Sequence, residues 1–168
     1  MTTEHELAIE NWPGSPDFPG PVHLRMPADS RQLPILRCIS ETMALLGDFP
    51  IDDASDLKLA ADEVCSMLLT HAAAEATLDC EIAITEDLFI FVAAVRVTRK
   101  VVPESAGLSW RILETIADTV SVQHTPVADA ATTGPASTDG EAVPGSLRCV
   151  MRIEKARQQS PASYASGT

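Results

Sequence analysis

Apolar and polar positions change period several times along this chain, and each change marks an element. Val22-His23-Leu24-Arg25-Met26 alternates apolar with polar residues, the signature of a strand. Asp29-Ser30 then offers a helix cap. Leu33, Leu36, Ile39, Met43 and Leu46 recur every three or four residues, and Gly47 follows as a stop. Pro34 is tolerated in a first turn, where its missing N–H has no intrahelical partner. A second helix starts near Asp52-Asp53, whose carboxylates suit the positive end of a helix dipole. Its apolar positions run through Leu57, Ala60, Ala61, Val64 and Leu68 toward His71-Ala72.

From Leu78 to Thr85 the period returns to two, with Leu78, Cys80, Ile82 and Ile84 on one side, which predicts a half-buried strand. Glu86-Asp87 makes a turn. Leu88 to Val97 is almost continuously apolar and β-rich, as a central strand should be. Helical spacing resumes over 105–118 through Leu108, Ile112, Leu113 and Ile116. Val120–Val122 and Leu147–Ile153 supply two further strands. The order β-α-α-β-β-α-β-β predicts an α+β two-layer sandwich, with helices on one face of a mixed, mainly antiparallel sheet.

Three stretches show neither period. Residues 1–20 hold Pro13, Pro16 and Pro19 with Gly14 and Gly20. Their charged residues are Glu4, Glu6, Glu10 and Asp17, so they read as a flexible acidic tail. Residues 125–146 read as a disordered loop insertion and 156–168 as a second flexible tail. The folded unit is therefore expected over 21–155, one domain of a 168-residue chain.

Charge narrows the partners. Acidic residues outnumber basic ones 24 to 12, a formal net charge of −12. That disfavours non-specific nucleic-acid binding and adhesion to anionic lipid, both of which need clustered cations. The longest strongly apolar run, Leu88–Val95, is far short of the ~20 residues of a membrane helix. The first residues lack a charged region followed by an apolar one, so no signal peptide is expected. Cys38, Cys65, Cys80 and Cys149 are widely spaced and form no Cys-x-x-Cys, which speaks against zinc. Reduced, mostly buried thiols in a cytoplasmic protein are the expectation.

The segment Leu57-Lys58-Leu59-Ala60-Ala61-Asp62-Glu63-Val64-Cys65-Ser66-Met67-Leu68-Leu69-Thr70-His71-Ala72 resembles the N-box helix of the GHKL (histidine-kinase-like, Bergerat) ATPase superfamily. It is most similar to the anti-sigma-factor branch, the switch-protein kinases of the RsbW, SpoIIAB and actinobacterial UsfX type. Glu63 stands at that motif's Glu position and His71-Ala72 at its His-Ala position. The stretch Glu104-Ser105-Ala106-Gly107-Leu108, then Ile112-Leu113-Glu114 and Ala117-Asp118-Thr119-Val120-Ser121-Val122, follows the family's second glycine box and the strand after it. The resemblance covers roughly 130 residues.

The departures are as informative as the matches. In the family, Glu63's counterpart polarises an attacking hydroxyl, and an Asn four residues later holds Mg²⁺ against the phosphates. Here that position is Met67, whose thioether is a poor ligand for a hard cation. The first glycine box, with an Asp that reads adenine, is replaced by Val95-Arg96-Val97-Thr98-Arg99-Lys100-Val101-Val102. Arg cannot accept a bond from the adenine amino group. The second box keeps Gly107 but continues Leu108-Ser109-Trp110. Glu63, Met67, Gly107 and Ser109 thus read as the remnant of a nucleotide site. No cofactor is expected, and ATP with Mg²⁺ is the group to test. Arg96, Arg99 and Lys100 leave open a loose contact with phosphates, or are simply solvated at a strand end.

What remains is binding. The resemblance implies that the first helix docks on an alternative sigma factor of the sigma-F/B type. A STAS anti-anti-sigma protein would compete for the same surface, and a homodimer is usual. Arg37 matches the family's anchor residue, with Arg31 and Glu41 beside it. Such an Arg would grip a partner carboxylate through two N–H donors. The plainer reading pairs Arg37 with Glu41 one turn on. His71 reads as a capping or satisfied histidine and Trp110 as packed against the sheet. Cys65 and Cys80 are candidates for oxidation only. The expected function is stoichiometric sequestration of a sigma factor. The competing readings are a working Ser/Thr kinase with Glu63 catalytic, and a small-ligand or structural module of the same element order.

Overall fold

A computed structural model describes residues 20–102, 107–127 and 147–158. The expected tails and loop at 1–20, 125–146 and 156–168 fall almost wholly outside these residues, as do Glu104, Ser105 and Ala106. The elements are β1 (Val22–Pro27), a 3-10 turn (Ser30–Gln32), α1 (Leu33–Leu46), α2 (Ile51–His71), β2 (Thr77–Ile84), β3 (Leu88–Val97), α3 (Gly107–Ile116), β4 (Thr119–Pro126) and β5 (Leu147–Ala156). They form an α+β two-layer sandwich of the GHKL-like kind. The sheet order is β1-β2-β3-β5-β4. Every neighbouring pair is antiparallel, so the expected mixture of directions is corrected. β3 and β4, joined through α3, run in the same direction, but β5 lies between them and opposes both, so no two neighbouring strands are parallel.

One sheet face carries the core. Ile82, Ile84, Phe89, Phe91, Met151 and Ile153 meet Leu36, Leu57, Val64, Leu68 and Leu113 from the helices. Phe49 meets Phe89 edge-on at 6.2 Å and 79°, a geometry worth about 0.5–1.5 kcal/mol beyond area burial. β2 is more buried than its alternation predicts. Glu81 and Ala83, on the far side from the helices, are as covered as Ile82.

The ends of α1 depart from expectation in instructive ways. Asp29 caps the 3-10 turn, its carboxylate accepting from the Arg31 N–H at 2.9 Å. The Arg31 side chain holds the Asp29 carboxyl down to about 2. At the other end Gly47 has an ordinary φ of −86°, and Asp48 takes the left-handed conformation instead (φ 57°). Gly47 is needed for closeness rather than for its dihedral: a Cβ there would lie 2.6 Å from Ile84 Cγ2. Leu46, the last member of the predicted apolar stripe, is 57% exposed, while Ala44 is buried in its place.

β4 runs on through Pro126 and β5 through Ala156, so residues 125 and 126 belong to a strand rather than to the expected loop, and Ala156 to β5 rather than to the tail. Arg157 continues the anchoring, donating to the carbonyl of Gly47 at 3.1 Å and to that of Glu86.

Candidate functional site

A cleft opens where the C-terminal half of α2 meets the segment after β3. The two are stitched together by backbone bonds: Ala73 N–H donates to Arg96 O (2.8 Å) and Thr98 N–H to His71 O (3.2 Å). Residues 98–102 are thereby held against the helix. Val101 N–H donates to His124 Nε2 at 3.0 Å, which fixes the segment to β4 as well. That bond requires His124 unprotonated at Nε2. Burial, assisted by nearby Lys100, lowers its pKa.

The cleft encloses about 540 Å³ and is lined by Ser66, Met67, Thr70, His71, Arg99, Lys100, Val101, Val102 and Ser109. The structure thus brings Met67 and Ser109 to one cleft. Glu63 is half-buried one helical turn before Met67 and does not line the cleft. Gly107 has a left-handed φ of 59°, with nothing within 4 Å of where a Cβ would sit. Its glycine is called for by the backbone, not by close approach of a described group. His71 is satisfied, as expected: its Nδ1 lies 3.0 Å from Met67 O. Trp110 packs against the core and donates from Nε1 to Glu114 at 2.8 Å.

The donor set tests whether Mg-nucleotide fits. Arg99, Lys100 and three hydroxyl side chains suit an anion. Among the described residues the lining has no carboxylate and no amide side chain, and Met67 offers sulfur where Mg²⁺ wants oxygen. No cluster of three or more His, Cys, Asp or Glu suited to a metal exists among the described residues. The described lining therefore suits a phosphate-like charge better than Mg-ATP.

The second candidate surface is α1 with its neighbour α2. Arg37 does not pair with Glu41. Its Nε and Nη2 donate to the two oxygens of Asp62 at 2.7 and 3.1 Å. Glu41 instead accepts from Lys58 Nζ at 2.7 Å. The helices run antiparallel, so 37 and 41 face 62 and 58, and inter-helix partners outcompete the intrahelical one. Arg31 is taken up by Asp29. Asp62 and Lys58 were not predicted as partners, because a single sequence gives no helix-to-helix register.

Beside these pairs α1 exposes Ile35 (49%), Leu45 (46%) and Leu46 (57%), and α2 opens with Ile51 at 76%. Ile35 and Leu45 lie off the apolar stripe, and that displacement was the available signal for them. Ser40, three residues after Arg37, is fully buried. The cysteines follow expectation except Cys38, which is exposed. Cys65 is buried against Cys80, and the contact and burial raise its pKa. Burial pushes Cys149 up to about 11.

Fold and surfaces together define a GHKL-like sandwich with a cationic, hydroxyl-lined cleft and a first helix that exposes apolar side chains. The chain is similar to the anti-sigma-F factor RsbW of Mycobacterium tuberculosis, in strains CDC 1551 / Oshkosh and ATCC 25618 / H37Rv alike. Identity is 30% over 103 residues, 61% of this chain, and the chain spans 61% of the length of those relatives. No family model matches the chain.

Proposed function

We propose that this protein is an anti-sigma factor that sequesters an alternative sigma factor of the sigma-F/B type by stoichiometric binding. The observation that carries this reading is the 30% identity to an anti-sigma-F factor, RsbW. The exposed apolar side chains of α1, with Arg37 among them, support it physically. Ile35, Leu45, Leu46 and Ile51 are already partly covered, so completing the burial of each under a partner would yield roughly 0.7–2 kcal/mol. Occlusion of a sigma surface needs affinity and no chemistry.

Release would come from a STAS anti-anti-sigma protein that competes for the same helix. A homodimer across an edge strand, β1 or β4, is compatible with the sheet order. Sequestering a transcription factor places the protein in the cytoplasm. No described helix is long and apolar enough to cross a membrane.

The kinase reading requires Mg-ATP in the cleft, with Glu63 catalytic. Met67, and a lining without a carboxylate among the described residues, weigh against it. Calorimetric titration with purified sigma-F-type factors and separately with Mg-ATP tests the proposal. Tight binding to a sigma factor supports it. Phosphate transfer to a STAS protein, lost in Glu63→Ala, would replace it with the kinase.

A further inference from the structure

α3 carries more apolar surface than the core uses. Leu113 and Ile116 are buried in the core, but Leu108, which the apolar spacing assigns to the same stripe, is 74% exposed. α2 likewise leaves Leu59 42% exposed, off its core stripe. The two helices lie antiparallel. Ser109, near the start of α3, shares the cleft with Ser66 and Met67, while Ile116, at its end, lies with Asp56 and Leu59. Between them runs an open groove of about 530 Å³, whose lining includes Asp56, Leu59, Leu108, Arg111, Ile112 and Ile116. It is separate from the α1 surface, toward which α2 turns Lys58 and Asp62 instead. We propose that this groove seats a basic amphipathic helix of a partner protein, with its apolar stripe on Leu59, Leu108 and Ile112 and its Lys or Arg side chains along α2.

Shape selects a helix. Leu108, Arg111, Ile112 and Thr115 follow at i, i+3, i+4 and i+7, a ridge about 10 Å long on α3 that faces the α2 wall. Both walls are helices, whose backbone groups are paired internally and offer no ladder to an extended segment. A docked segment must satisfy its own backbone, which a helix does.

Charge selects a basic one. Asp52, Asp56, Leu59 and Glu63 follow at i, i+4, i+7 and i+11, so three carboxylates share the groove side of α2. None of the three has an ion partner among the described residues, unlike Asp62 on the α1 side. Arg111 on the opposite wall is unpaired as well among the described residues, and it offers a place for one partner carboxylate. A second copy of this chain supplies no such helix from the described residues. α1, α2 and α3 each carry a single Lys or Arg, namely Arg37, Lys58 and Arg111. An acidic helix would set like charges against α2.

A fluorescein-labelled peptide of about 18 residues, long enough to be helical, serves as the probe. It carries Leu at helical spacing on an Ala background, with Lys along one flank, and a counterpart carries Glu in place of Lys. Fluorescence anisotropy with the full chain should show saturable binding of the Lys peptide, at least about tenfold tighter than the Glu peptide. Leu59→Ser with Leu108→Ser leaves the net charge at −12, so any loss it causes is not one of general attraction. That pair should weaken binding about tenfold with the circular dichroism retained. Asp52→Asn with Asp56→Asn should weaken binding and flatten its salt dependence. Should the Leu pair fail to fold, Leu108→Ser alone, at the more exposed position, must still weaken binding. Failure of the Lys peptide to bind, or equal binding of the two peptides, would overturn the proposal. So would a loss confined to Leu45→Ser with Leu46→Ser, which puts the peptide on α1. Sedimentation that finds the chain dimeric and the Leu59→Ser, Leu108→Ser variant monomeric would give the groove to a second copy and overturn it too.

Discussion

The Arg37 guanidinium and the Asp62 carboxylate close on each other through two hydrogen bonds, of 2.7 and 3.1 Å, and so bind α1 to α2. The residue best placed to anchor a partner is thus already engaged within the molecule. Any partner carboxylate must displace or share Asp62. Arg37→Ala should weaken sigma-factor binding at least about tenfold, the scale of a lost charge-assisted pair. Asp62→Asn, which lowers the internal competition, should leave that affinity equal or higher. Calorimetry on both variants checks the pair of outcomes. On stability the two residues should couple by only about 0.2–1 kcal/mol in a double-mutant cycle, because the Arg37 side chain is 45% exposed.

Gly47→Ala brings a Cβ to 2.6 Å from buried Ile84 Cγ2. Overpacking of this kind costs about 1–3 kcal/mol, which denaturant unfolding would register as a lower midpoint with an unchanged slope. Gly47→Ala combined with Ile84→Val, which removes the other methyl group of Ile84 but keeps Cγ2 or its equivalent, should recover little.

The His124–Val101 bond predicts a pH response. The folded pKa of His124 is lowered by burial first and Lys100 second. A group with a depressed pKa binds fewer protons folded than unfolded, so its contribution to stability is present above the unfolded value. It is lost as pH falls through that value toward the folded one. Stability should therefore decline on acidification below the ordinary imidazole range. Amide exchange at Val101 should accelerate over the same interval. His124→Gln, whose side-chain oxygen can still accept, should flatten this part of the pH profile.

Thiol reactivity should follow exposure. Cys38 should react with a thiol reagent in the native state, while Cys65 and Cys149, whose thiols are held protonated by burial, should react only on unfolding. Counting modified thiols by mass spectrometry against time distinguishes the classes.

Much of the fold was readable because its periods are strong. β3 matches its predicted bounds, Leu88–Val97, since a strand buried on both faces reads as an uninterrupted apolar run. β2 was misjudged because Asp79 and Glu81 looked like a solvated face, whereas the outer side of the sheet is largely covered there. β4 was too short in prospect because Gln123-His124-Thr125-Pro126 is polar, and its pairing with β5 supplies what local pattern does not. Met67 and Ser109 both line the cleft, and Glu63 does not. The Arg37–Asp62 and Glu41–Lys58 pairs depend on how two antiparallel helices are set against each other. That setting comes from core packing, which no local window encodes.

The central claim, sequestration of a sigma factor without nucleotide, is tested most directly by calorimetry on one preparation of the full chain. It would be titrated with Mg-ATP and then with a purified sigma-F-type factor. The account predicts no heat from Mg-ATP and saturable, tight binding of the sigma factor whether or not nucleotide is present. Clear Mg-ATP binding, or sigma binding that appears only with it, would contradict the account and restore Glu63 and the cleft to a catalytic role.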